Sequence, residues 1–277
     1  MFNTKLKKLS GLMLLGASLT LTGCDLFDND SDSLPEGSLT QISGNALKGS
    51  LANANVNLFS AENIIDPILS TTTDENGDYV LQGFVEGGGV YLITVTTDEN
   101  TTMTCDAVNC GTDENPIAFG EEVPGSSLAN LELSNVTFID GTQEATTSEL
   151  QVNAVTTVAT ELLVVNLENS SVEVDKITLE GFDGMQTAVT QTVAAVFGVD
   201  VNAETNVFEL ILPDLTDTEE SAVANASEAG FSVINAGITT SSGDSISESV
   251  SKVAESAATL TSLSAGDEGY AEAAEVW

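Results

Sequence analysis

The chain of 277 residues is 42% apolar and carries 43 Asp and Glu against six Lys and Arg, a net charge of −37 at pH 7. All six cations are lysines and there is no histidine, which excludes imidazole metal ligands, Ser-His-Asp and Cys-His nucleophile systems, and guanidinium clamps for phosphate or carboxylate. Nucleic acid is excluded as a partner, because no cationic strip exists to displace phosphate counterions, while a mean hydropathy of +0.12 speaks against wholesale disorder.

Residues 1–23 read as an export signal. Lys5, Lys7 and Lys8 form a basic head, Leu9 to Leu21 an uncharged apolar core, and Leu21-Thr22-Gly23-Cys24 a small-residue cleavage site. The thirteen residues from Leu9 to Leu21 are too few to span a bilayer, which takes about 20 apolar residues. Leu21-Thr22-Gly23-Cys24 resembles the lipobox of bacterial lipoproteins. That resemblance implies cleavage between Gly23 and Cys24 and acylation of Cys24, so that the membrane is a partner through a lipid anchor. Each buried methylene contributes about 0.8 kcal/mol, so two or more acyl chains hold firmly where one binds weakly. The outer membrane or the cell surface is the expected location. Asp25 resembles the inner-membrane retention signal of enteric lipoproteins, which makes the periplasmic face of the inner membrane the alternative.

Once the signal is gone, Lys48, Lys176 and Lys252 face all 43 carboxylates. Such a charge disfavours contact with anionic headgroups. It also opposes compaction unless salt screens it, so a saline habitat would suit the chain. Residues 24–38 are acidic and without periodicity, an extended tether. Asp28, Asp30 and Asp32 have the spacing of a calcium loop, but Ser33 stands where that loop needs glycine and Leu39 where it needs a bidentate glutamate. No metal or cofactor is expected.

Residues 39–140 read as antiparallel β structure. Val56 and Leu58 alternate with Asn55 and Asn57, Tyr79 and Leu81 with Val80 and Gln82, and Tyr91, Ile93 and Val95 with Leu92 and Thr94. Asn76-Gly77, between Thr71-Thr72-Thr73 and Tyr79-Val80-Leu81, predicts a hairpin. The runs Ile42-Ser43-Gly44-Asn45-Ala46, Leu51-Ala52-Asn53-Ala54-Asn55-Val56 and Thr73-Asp74-Glu75-Asn76-Gly77-Asp78-Tyr79 resemble the carboxypeptidase-regulatory-like family over residues 40–97, with Asn53 and Asn55 replacing the usual glycine and threonine. The resemblance implies a small prealbumin-like β-sandwich without catalytic residues of its own, a spacer or binding module of exported proteins. With Cys24 lipidated, Cys105 and Cys110 remain as one pair in an oxidising compartment, a structural disulfide. A loop this short contributes about 2 kcal/mol in the chain-entropy model.

After Gly141 the period becomes helical, predicting a mainly α-helical region over 141–277 and an α+β chain overall. Val155, Val158, Ala159, Leu162 and Leu163 form one stripe; Met185, Ala188, Val189, Val193 and Val196 form a second, closed by Gly198. Asp217-Thr218-Glu219-Glu220 has the form of a capping box, followed by Ala222, Val223, Ala226, Gly230, Val233 and Ile234 on one face, with Gly237 as the stop. Ile246, Val250, Val253, Ala254, Ala257 and Leu260 make the last stripe. Val152 to Thr160 resembles, loosely, the entry to helical regions in large bacterial surface lipoproteins.

Four chemistries come into question. Ser249-Val250-Ser251-Lys252 has the Ser-x-x-Lys form of penicillin-binding enzymes but lacks the companion motifs. Lys48, the sole lysine of 39–140, is expected in an exposed turn beside Gly49, and with Asn135 it is the pair to consider for a Lys–Asn crosslink. Paired carboxylates, as in a glycoside hydrolase, are the enzyme alternative, and a low-affinity divalent-cation surface is another. The expectation is a non-enzymatic, lipid-anchored envelope protein with a binding or structural role (adhesion, matrix contact or scaffolding), whose partner is another envelope protein or a polysaccharide.

Overall fold

The computed structural model describes residues 37–112, 114–170, 172–217, 225–240, 245–262 and 273. The signal, Cys24, the tether up to residue 36, and the acidic triplet Asp28, Asp30 and Asp32 lie outside them.

The chain is α+β. Among the described residues three sheets form from β1 (Ser38–Leu47), β2 (Leu51–Ala52), β3 (Asn55–Ser60), β4 (Leu69–Thr72), β5 (Asp78–Val85), β6 (Gly89–Thr96), β7 (Thr102–Thr104), β8 (Glu122–Pro124), β9 (Glu132–Ile139), β10 (Ala145–Glu149) and β11 (Val152–Asn153). One sheet has the order β4-β3-β6-β9, all antiparallel. A small one has the order β2-β7-β8. In the third, β1 pairs antiparallel with β5 on one edge and parallel with β10 and then β11 on the other. Strands therefore continue past Gly141 to Asn153, where the period alone predicted helix. Ala145–Glu149 is polar and half exposed, so it carries little hydrophobic signal, and its pairing with β1 decides its conformation. Gly44 lies where the chain steps from β10 to β11: a Cβ there would sit 1.7 Å from the Leu150 carbonyl oxygen.

The hairpin predicted at Asn76-Gly77 is a turn of another kind. The turn exists, with Asp74 Oδ1 accepting from the amides of Asn76 and Asp78, but β4 pairs with β3 and β5 pairs with β1. The chain crosses here from one sheet to another. Buried Thr73 directs it: its hydroxyl donates to Leu51 O at 2.6 Å and accepts from Ala54 N at 2.8 Å.

Four helices follow among the described residues: α1 (Ala154–Asn169), α2 (Leu179–Phe197), α3 (Ala226–Gly237) and α4 (Ile246–Ser262). The α1 stripe is buried throughout, and α2 ends at Gly198 in the left-handed region at φ 67°. The α3 face departs from its expected stripe. Phe231, Ser232, Asn235 and Ala236 are buried, whereas Val233 is 63% exposed and Ala226 is exposed. Its capping box is Asn225 with Glu228; Thr218, Glu219, Glu220, Ala222 and Val223 lie outside the described residues. Strand β6 also departs from period two. Val90 to Val95 are all buried, within the core that strands and helices share; Phe138 of the neighbouring β9 meets Phe182 of α2 with ring centroids 5.9 Å apart. The apolar side chains of strands and helices form one contiguous core.

Candidate functional site

Buried amide side chains lock the helices onto the sheets. Asn153 caps α1: its Oδ1 accepts from Thr156 N at 2.8 Å, and the Thr156 hydroxyl accepts from Asn153 N at 2.9 Å. The next threonine, Thr157, accepts from Ser134 N at 2.9 Å, so the helix start satisfies a β9 amide. Gln151 donates to Leu212 O and accepts from Leu212 N, the pattern of a strand partner. Asn135 Nδ2 donates to Gln151 O and Phe208 O, both at 2.8 Å. Asn235 accepts from Ala154 N and donates to Leu47 O. Together these amides fix segment 206–217 and α3 against the sheets. Sequence reading named Asn135 only as a crosslink partner and did not foresee the buried bonds of the others, since Asn and Gln are usually turn or surface residues.

Lys48 corrects its sequence expectation. It is wholly buried rather than exposed. Gly49, at φ 61°, turns the chain tightly under β7, where a Cβ would lie 1.7 Å from Thr104 O. The Lys48 ammonium donates to both carboxylate oxygens of Asp106, at 3.3 and 3.4 Å, to Ala236 O at the C-terminal end of α3, and to Thr239. Burial lowers the Lys48 pKa, and the Asp106 carboxylate opposes that shift. Neither Lys48 nor Asn135 bonds the other, so the structure does not join the pair considered for a crosslink. Asp106 lies within the loop closed by Cys105 and Cys110, whose Sγ atoms stand at bonding distance. That loop therefore holds the counter-charge for the lysine.

Ser249 is fully buried on α4, while Lys252 is 44% exposed and pairs with Glu248 at 2.7 Å. Among the described residues, no group of three or more carboxylates and thiols is disposed to hold a metal ion.

A groove of about 910 Å³ opens where the ends of β1 and β10 and the start of β5 meet segment 211–217. Five carboxylates line it: Glu75, Asp78, Glu149, Asp214 and Asp217. Asp214 is held in place, accepting from Ser50 at 2.7 Å and from the amide and hydroxyl of Thr216 at 2.7 Å. Asp78 accepts from Asn45 Nδ2 at 3.1 Å. The floor is Tyr79, whose hydroxyl donates to Leu150 O at 2.7 Å; burial pushes its phenol pKa up. The groove presents anionic acceptors on a rigid strand frame, with no lysine among its described lining residues, so it can receive a positively charged group. No protein-family model, curated protein or solved structure matches this chain.

Proposed function

We propose that this chain is a lipid-anchored protein of the bacterial envelope, held by acyl chains on Cys24 after cleavage behind Gly23. We place it at the outer membrane or cell surface, where it binds another envelope component rather than catalysing a reaction. Its β portion we read as a prealbumin-like sandwich of the carboxypeptidase-regulatory-like kind. The observation that carries the reading is the basic head, short apolar core and Leu21-Thr22-Gly23-Cys24 of the sequence.

Three features support it. No helix among the described residues is long and apolar enough to cross a membrane, so membrane residence would rest on the lipid. Cys105 and Cys110 lie at bonding distance, which suits an oxidising compartment. The sheets β4-β3-β6-β9 and β5-β1-β10 share a core, which suits a sandwich.

Cell fractionation tests the assignment. The wild-type chain is expected in the envelope membranes and released by detergent, and the Cys24→Ser variant in the non-membrane fraction. Equal partitioning of the two would refute it.

A further inference from the structure

We propose that the outer face of the β5-β1-β10 sheet, together with the acidic groove at its end, docks an extended, lysine-bearing segment of a partner protein. This rests on the binding role proposed above and names its surface and partner class.

The register sets out the face in rows across the three strands. Phe84, Leu39 and Ala145 form the first; Gln82, Gln41 and Thr147 the second; Val80, Ser43 and Glu149 the third. Asp78 and Asn45 continue it into the groove. The face therefore runs from an apolar end to an acidic end, over about 13 Å from Leu39 to Ser43 at the strand rise. Phe84 is 50% exposed, Val80 52% and Leu39 39%, so no described element covers the apolar end. Lys48 is buried, and neither Lys176 nor Lys252 belongs to these strands or to the groove lining, so the described face carries no cation of its own.

Charge complementarity selects the occupant. Glu75 and Glu149 line the groove and are exposed to solvent, so their carboxylates can meet an incoming cation. A lysine fits both parts of the face: its four-carbon stem covers Val80 and its ammonium reaches the carboxylates. An extended segment places alternate side chains on one face, so an apolar residue sits on Phe84 and Leu39 while lysines meet Glu149 and Glu75. The field of the groove would steer such a segment inward. Residues 25–36, the chain's own neighbouring segment, contain no lysine and so lack the charge this occupant needs.

The test is fluorescence anisotropy of the full chain in detergent micelles with a labelled peptide of about twelve residues alternating valine and lysine, in salt of about 0.15 M. Saturable binding is expected. The double variant Glu75→Gln/Glu149→Gln should weaken it by about tenfold or more, and Phe84→Ser should weaken it separately. The control Glu168→Gln/Glu173→Gln removes the same charge away from the face and should change it by less than about twofold. Absence of binding would overturn the proposal. So would equal loss in both double variants, which marks a diffuse attraction to an acidic protein. Preferential binding of an amine-bearing oligosaccharide, or binding seen only after deletion of residues 25–36, would assign the face elsewhere and overturn it too. Any of these with Cys24 still directing the chain to membranes sinks the docking face and leaves the anchor standing; loss of anchoring leaves the peptide titration unchanged.

Discussion

At the residue scale, three buried polar side chains carry measurable weight. Lys48 and Asp106 form an ion pair that is almost wholly out of water. Removing one partner strands the other charge, so Asp106→Ala should lower stability to chemical denaturation by about 3–5 kcal/mol. Lys48→Met combined with Asp106→Leu should recover most of the loss, because desolvation is then no longer opposed to folding. A double variant as unstable as the single one would mean that the pair does more than neutralise itself. Tyr79 gives a pH signature. Its folded pKa lies above the ordinary 10.0, so the unfolded chain loses the phenolic proton first. The stability contributed by neutral Tyr79 is full below pH about 10 and falls as pH rises beyond it. Tyr79→Phe should be less stable by about 1 kcal/mol near neutrality, through loss of the bond to Leu150 O. The gap should close above pH about 10, read from denaturant midpoints across a pH series.

At the element scale, the start of α1 is the joint between the strands and the helices. Asn153→Ala should cost about 1–2 kcal/mol, and amide exchange should rise at Ser134, whose N–H bonds to Thr157. Exchange that rises only inside α1 would show that the cap serves the helix alone. Much of this scale was legible in the sequence. The strands around Val56 and Leu81, the α1 and α4 stripes, and the stop at Gly198 all follow from apolar period and turn chemistry, while β6 forms where expected but is buried on both faces. What was not legible depended on partners distant in the chain. Asp74 to Asp78 signals a turn, but Thr73, bonded to Leu51 and Ala54, decides that the turn changes sheets. Val233 is apolar yet exposed, because Asn235, bonded to Leu47 and Ala154, turns the other face of α3 inward. The groove was hidden for a similar reason. Glu75, Glu149 and Asp217 are scattered among 43 acidic residues; the register of β1, β5 and β10 sets Glu149 near the start of β5 beside Glu75, and the bonds of Gln151 to Leu212 and of Ser50 to Asp214 bring in the segment that carries Asp217.

At the scale of the whole molecule, charge dominates. A net charge of −37 repels itself most strongly in the compact state. Adding salt from about 0.01 to 1 M shortens the screening length from about 30 to about 3 Å, so the melting temperature should rise along that series; a melting point indifferent to salt would contradict this. The same charge keeps the body off anionic headgroups, and the proposed acyl chains on Cys24 would then supply the attachment. Growth of expressing cells with labelled palmitate tests that claim most directly. Acylation at Cys24 would put label on the wild-type chain and none on Cys24→Ala, with a mature chain that begins at Cys24. An unlabelled wild-type chain that still begins at Met1 would contradict it.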